Sequence, residues 1–408
     1  MTSKLKGILF KLPYILAIFT LMISCQQKNK EEKSNNKELI KKVYRFATYN
    51  SSLNRSEAGK LIKELKSGES SQAENIAEII QIVRPDVLSL QEFDFDEKGE
   101  AMQYFLKNFL SKGQNGEKPI DYPYVWVVPS NTGVETGVDF NNDKKIAAPE
   151  DAYGFGEFEG QYAFALLSKY PILWDSTKTF QKFLWKDMPN PHFPKDKNNE
   201  EYYSKKAIDI FRLSSKNHID APIKLVDGSI IHAIVAHPTP PVFDGPEDRN
   251  GKRNYDEIKF LSDYIKGDSS ASYIVSDKGV QGGLNPNDRF VIMGDMNADP
   301  EAGDSYQKAI LQFFDNSKIN QQVTSGDFIP SSKGAIAYSK EHKLDSLGNN
   351  VNTRTSKWGM RVDYILPSYN IKVVDSGVFW PDSLKDFNYK MENTSDHMMV
   401  WTDIEISN

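Results

Sequence analysis

Asp295 and Asn297 stand one residue apart just past an apolar run, Phe290 to Met293, with Gly294 at the junction. A carboxylate and an amide in that position can serve one reacting centre if the run is a buried strand, because loops beyond strand ends are where polar groups converge. Gly294 is expected to let the chain turn tightly there. Gly, Asp and Asn are also ordinary turn residues, so the stretch gains meaning only beside others like it. Several exist. Asn50 closes the run Val43–Tyr49, and Glu92 follows Gln91 past Val87–Leu90. His237 ends the run Ile230–Ala236, Asp363 lies near the start of Val362–Pro367, and Asp396 and His397 lead into Met398–Ile404. Each alone has a structural reading; eight such groups, in a chain with only six histidines, form a set.

The set has a consistent chemistry. Glu92 with Asn50 or Asp363 offers hard oxygen ligands suited to Mg²⁺, Mn²⁺ or Ca²⁺. No Cys or His cluster points to zinc. His397 beside Asp396, and His237, could supply groups that titrate near neutral pH. Hydrolysis of a phosphoester needs a metal on the phosphoryl oxygens, a base for water, and an acid or metal on the leaving oxygen.

Elements of both kinds must position these groups. Ile76, Ile79, Ile80 and Val83 recur at helical spacing and predict a helix over 70–83, broken by Arg84-Pro85-Asp86. Strands are predicted at 124–128 and 162–167, with a Gly-, Asn- and Asp-rich loop, 130–160, between them. Residues 174–210 read as an irregular surface insertion. Lys224–Ile231 reads as a hairpin turning at Asp227-Gly228. A polar loop is expected up to Asn254, then a helix over 255–266 with Ile258, Leu261, Tyr264 and Ile265 on one face. Residues 306–311 read as helical and 315–356 as mostly loop.

Length and composition bound the rest. The 408 residues, 39% hydrophobic and 12% aromatic, suffice for a large core. The net charge is −6 with Lys and Arg dispersed, so no basic footprint for nucleic acid is present, although metal ions can supply local positive charge. The first 25 residues have a basic start, Lys4 and Lys6, and an apolar run from Leu12 to Ile23 too short to span a bilayer. They end in Leu21-Met22-Ile23-Ser24-Cys25, which resembles a bacterial lipobox whose cysteine is lipidated. Cys25 is the only cysteine. The expected organisation is a lipoprotein signal peptide over 1–25, a polar tether over 26–42 and a folded domain over 43–408. The expected location is outside the cytoplasm, held to a membrane by the N-terminal lipid alone. No protein partner is inferred.

In order along the chain, Tyr49-Asn50, Gln91-Glu92, Leu167-Ser168-Lys169-Tyr170-Pro171-Ile172, His237-Pro238, Gly294-Asp295-Met296-Asn297, Val362-Asp363-Tyr364-Ile365-Leu366 and Ser395-Asp396-His397 appear. This order resembles the endonuclease/exonuclease/phosphatase superfamily from about Val43 to Ile406. The resemblance implies an α/β fold of the deoxyribonuclease I-like kind, a four-layered sandwich of two packed mixed β-sheets flanked by helices. It implies Glu92 as principal metal ligand helped by Asn50, with Asp396 near the metal and base. It further implies Asp295 and Asn297 for positioning or activating water and binding phosphate, His397 at the scissile phosphate oriented by Asp363, and His237 touching the phosphate.

Two departures from that pattern matter. The phosphate-clamping Arg that family nucleases often carry has no clear counterpart in Ser214–Pro222, where Lys216 or His218 could substitute. Arg249 and Asn250, in the loop after Pro241, are second candidates. The familiar Asn-Thr-His stretch is replaced by Val235-Ala236-His237. Loops at 130–160, 238–254 and 326–345 are expected to wall in a pocket, which favours a small organic phosphate or phosphodiester over a duplex. An extracellular nuclease acting on nucleic acid is the chief alternative. A phospholipid or sphingomyelin phosphodiesterase is a third, with Val242-Phe243 and Phe193 as its apolar candidates. From another class, a catalytically inactive binding lipoprotein would show loss of Glu92, Asp295 or His397, and all three are present.

Overall fold

In strand β1 (Lys42–Leu53), Tyr44 and Phe46 enter one core while Ala47 and Tyr49 enter another, so both faces are buried. The same division runs through β2 (Val87–Phe93), β3 (Tyr124–Val128) and β4 (Phe164–Ser168). The computed structural model describes residues 42–344, 348–381 and 393–406, and Val43–Ile406 form one compact unit. After a two-residue strand, β5 (Lys178–Thr179), come β6 (His218–Lys224), β7 (Ile230–Ala236) and β8 (Phe290–Asp295). The last three are β9 (Asp363–Pro367), β10 (Lys372–Val378) and β11 (Val400–Ile406).

These strands make a six-stranded sheet, in order β10-β11-β1-β2-β4-β3, and a five-stranded sheet, β5-β6-β7-β8-β9. Each sheet is mixed, and β1/β2 and β7/β8 run parallel. Side chains from both sheets, including Phe46, Leu166, Val235 and Met293, meet in one central core. The outer face of the first sheet is covered by the helices Lys60–Ser67, Ser71–Val83 and Glu100–Phe105. The outer face of the second packs Ile234, Ile292 and Leu366 against the helix Arg249–Lys266. Helix, sheet, sheet, helix: these are the four layers of the expected sandwich.

Register then sets the site. Because β1 and β2 run parallel with Asn50 opposite Gln91, Asn50 and Glu92 emerge at one end of that sheet. Because β7 and β8 run parallel with Val235 opposite Met293, His237 and Asp295 emerge together as well. Asp295 pairs directly with Asp363 across β8/β9.

Several sequence readings need correction. Gly294 is not a turn: β8 runs through it to Asp295, and a Cβ there would lie 1.9 Å from the Ala236 carbonyl oxygen. Its φ of 153° and its bare face let β7 and β8 approach. The helix expected from 255 begins at Arg249, so Arg249 and Asn250 sit in its first turn rather than in a loop. The insertion 174–210 carries a short helix, Lys205–Ile210, and 315–356 carries the helix Lys333–Glu341. Ser214–Asn217 are buried and β6 starts at His218, so both Lys216 and His218 are held within the fold. Cys25, the expected signal peptide over 1–25 and the tether as far as residue 41 lie outside the described residues; Lys42 already belongs to β1. Among the described residues no helix is long and apolar enough to cross a membrane.

Candidate active site

His397, just before β11 of one sheet, donates from Nδ1 to Asp363 Oδ2 of the other sheet at 2.9 Å. Asn50 Nδ2 crosses the same seam to Asp295 Oδ2 at 3.1 Å and lies 3.3 Å from His397 Nε2. His397 Nε2 is 3.6 Å, and His237 Nε2 3.5 Å, from Asp295 Oδ2. One carboxylate oxygen thus faces two imidazoles and an amide, all buried. The other, Oδ1, accepts the backbone N–H of Asn297 at 2.9 Å.

Buried charges shift one another. Burial opposes the charged form of His397, but Asp363 and Asp295 more than offset it and hold the imidazolium up to about 10. Burial raises the Asp295 carboxyl, and neighbouring Asp363 adds to this while His397 opposes it. His237 goes the other way: burial, with Lys216 and His397 nearby, pushes it well below the ordinary imidazole range. The two histidines are therefore unlike at neutral pH, one cationic and one neutral. His237 Nδ1 is buried without a hydrogen-bond partner.

Glu92 is partly buried, with Oε2 accepting from Asn54 Nδ2 at 2.8 Å. Burial raises its carboxyl and the charge of Asp396 adds to that rise. Asp396, exposed, takes a 3.1 Å bond from Ser52 Oγ. Two carboxylates that repel across a cleft, with the Asn50 amide beside them, are a donor set that fits a hard divalent cation. A second group, Asp295, Asp363 and His397, has potential ligand atoms within 4.8 Å of one another. There the imidazole is already spent on Asp363 and held protonated, which suits an acid or charge stabiliser better than a ligand.

A pocket of about 1000 Å³ opens on this cluster and is lined by Glu92, His237, Asp295, Asn297, Asp396 and His397. Asp363 is beneath it, acting through His397. Lys216 lines it too, nine-tenths buried, and its ammonium has no hydrogen bond or ion pair among the described residues. His218 is outside it, buried against Phe260 with ring centroids 5.4 Å apart. Arg249 and Asn250 reach the pocket, but Arg249 is paired with Glu247 and Asn250 Nδ2 donates to the Val242 carbonyl at 2.7 Å. The loops 130–160 and 238–254 contribute walls as expected; no described residue of 326–345 does, and 299–305 and 358–362 take that place.

Sequence reasoning missed Asn54, Thr355 and Trp358. Thr355 Oγ1 donates to Asp363 Oδ2 at 2.7 Å and so fixes the carboxylate that holds His397. Trp358 meets the His397 ring edge-on at 4.9 Å. Left-handed backbone at Glu92 (φ 53°) and Asn297 (φ 51°) was equally invisible, though Asn tolerates it better. Strain at two site residues is the usual mark of a functional segment.

His218 carries a prediction about stability. Burial, with the positive charge of Arg253, pushes its imidazole down to about 3. Below the ordinary value the unfolded chain takes up a proton that the folded chain refuses, so stability falls as pH drops from about 6.5 toward 3. His218→Gln should remove about one proton, or about 1.4 kcal/mol per pH unit, from that slope. Urea unfolding at several values between about pH 4 and 6 checks this; an unchanged slope contradicts it.

Comparison with known proteins gives a family. The model of the Endonuclease/Exonuclease/phosphatase family matches residues 47–397. No curated protein matches. Among solved structures the chain is similar to an endonuclease/exonuclease/phosphatase from Beutenbergia cavernae DSM 12333, at 13% identity and a TM-score of 0.49, covering 90% of this chain and 72% of that one. It is similar to the human Nocturnin catalytic domain with bound sulfate, at 15% identity and TM-score 0.44, over 90% and 98% of the two chains. It is also similar to a Staphylococcus aureus beta toxin mutant with bound magnesium ions, at 14% and 0.44, over 88% and 99%. The matched span contains all eight polar groups of the sheet seam, and the chain belongs to the endonuclease/exonuclease/phosphatase family of metal-dependent phosphoester hydrolases.

Proposed function

We propose that this enzyme hydrolyses a small organic phosphate or phosphodiester outside the cytoplasm, with Mg²⁺ or Mn²⁺ as its metal. The observation that carries the substrate size is the pocket. Phe140, Phe155, Pro241, Phe243 and Trp358 wall the space in front of the catalytic cluster. A duplex needs an open face with cations tracking its backbone, whereas a concave, largely apolar pocket suits a small ligand.

In this reading Glu92, Asn50 and Asp396 hold the metal, which supplies Lewis-acid stabilisation of the phosphoryl oxygens. Asp295 orients and deprotonates the attacking water; its raised basicity suits that task. Asn297, its backbone held by Asp295 and its side-chain amide on the Pro238 carbonyl at 3.1 Å, steadies the loop beside the phosphate. The His397 imidazolium stabilises charge growing on the phosphoryl group, and Asp363 with Thr355 keeps it charged and aimed. Neutral His237 and the Lys216 ammonium supply polar contacts to the same phosphate.

A specific observation favours a second reading. Phe243 at 88% and Phe155 at 58% exposure stand at the pocket mouth, where a lipid phosphodiester would present its chains. Phe193 offers no such contact, being packed on Trp185 at 4.8 Å.

The test is hydrolysis of p-nitrophenyl phosphate, bis-p-nitrophenyl phosphate, a choline phospholipid and plasmid DNA, each with Mg²⁺, Mn²⁺ or EDTA. Metal-dependent turnover of the small esters with plasmid untouched is expected. Plasmid nicking in preference to the esters would replace this reading with the nuclease one, and preference for the phospholipid would select the second. Glu92→Gln should abolish the metal-dependent rate, and Asp363→Asn should lower turnover by about 10²-fold or more while keeping the fold. Full activity of Glu92→Gln would refute the metal assignment.

Export and anchoring rest on Cys25 and the segment before it. Expressed in a bacterial host, the full chain should label with palmitate and sediment with membranes, and Cys25→Ala should do neither. Unchanged labelling in Cys25→Ala would remove the anchor from the account.

A further inference from the structure

The inner wall of the pocket, away from Glu92 and His397, holds a guanidinium that the hydrolytic cluster does not use. Arg253 is 6% exposed and lines the pocket. Its Nε donates to the Leu213 carbonyl at 2.9 Å, and its Nη2 to the carbonyls of Tyr153 at 2.6 Å and Arg212 at 3.0 Å. Nη1 has no protein partner among the described residues, and no carboxylate there lies within ion-pair distance of the group. The guanidinium lies 4.6 Å from the Phe211 ring centre, which fixes its plane.

Lys216 belongs to the same wall. It is equally buried, its ammonium has no hydrogen bond or ion pair among the described residues, and the charge of Arg253 acts on it. One buried carboxylate, Glu257, sits behind both, but its two oxygens accept the backbone N–H groups of Ser215 (2.8 Å) and Thr239 (2.7 Å). The carboxylate that acts on both cations is thus already engaged, and none is in ion-pair reach of Arg253 among the described residues, so an anion in the space before them is favoured. Phe140, Tyr203 and Phe211 line the pocket around this corner. Lys216 is also acted on by Glu92 and Asp295, so it stands between the reacting phosphate and Arg253.

We propose that Arg253, with Lys216, forms a second anion subsite, so that the substrate is a small phosphoester carrying a further phosphate or carboxylate on its organic part. The inference rests on the phosphoester reading and narrows its substrate class. Arg253 is a specificity determinant here: it touches the substrate away from the bond that breaks.

Non-hydrolysable ligands test it without turnover. Calorimetric titration with excess Mg²⁺ would compare 4-phosphonobenzoate with phenylphosphonate and 3-phosphonopropionate with propylphosphonate. The doubly functional member of at least one pair should bind about tenfold tighter or more, the range for one charged hydrogen-bonding partner. Benzene-1,4-bisphosphonate distinguishes a second phosphate from a carboxylate. Arg253→Gln should erase the preference, and Arg253→Lys should retain part of it. A purely structural Arg253 would leave the ratio unchanged even if both affinities fell. Equal binding within every wild-type pair, or a preference that survives Arg253→Gln, overturns the proposal, and the wild-type arm holds even if the Gln variant does not fold. Preference without hydrolysis of any ester would instead retain the subsite and defeat the hydrolase reading.

Discussion

The structure depends on a pair of polar contacts that tie two sheets together at one end of their shared core. His397 to Asp363 and Asn50 to Asp295 each join a residue of the six-stranded sheet to one of the five-stranded sheet. Behind these contacts, apolar side chains such as Phe46, Leu166 and Met293 pack the two sheets together. The seam end therefore concentrates buried ionisable groups beside an apolar core. In such surroundings charges act on one another strongly, which is why one histidine is held cationic and its neighbour neutral.

Holding that cluster has costs that the fold absorbs. Glu92 sits in left-handed backbone, which costs an L-residue about 1–2 kcal/mol. Asp363 Oδ1 and His237 Nδ1 are buried without partners. These deficits lie at the pocket end, while the parallel β1/β2 and β7/β8 pairs behind them are largely apolar and buried. Rigid strands place the groups, and the short segments just past the strand ends carry the strain. Walls then come from the chain's own long connections, 130–160 and 238–254, so the reaction chemistry is set by the seam and the choice of substrate by the insertions.

How much of this was legible in sequence follows from where the information lies. A strand buried on both faces shows as an apolar run, and a polar residue past its end shows as a break. Asn50, Glu92, His237, Asp295, Asn297, Asp363 and His397 were visible for that reason, and the structure brings them to one cluster. The partners that position them were not visible, since Asn54 and Thr355 earn their roles from contacts 38 and 8 residues away that no local pattern encodes. The helix start at Arg249 was hidden differently. Its first turns read as polar loop because their inner face carries Arg253, Asn254 and Glu257, bonded to backbone groups, in place of apolar side chains. Extended back, the helix puts Arg249, Arg253 and Glu257 at i, i+4 spacing on one face, which would have singled out Arg253.

Everything at the seam turns on His397 being an imidazolium clamped between Asp363 and Asp295 of the opposite sheet. Imidazole NMR of the protein in EDTA, with His397 assigned by its loss in His397→Gln, measures this directly. His397 should stay protonated through about pH 8 and titrate near 10. A midpoint near the ordinary value of about 6.5 would mean that the seam does not hold the charge, and would contradict the account.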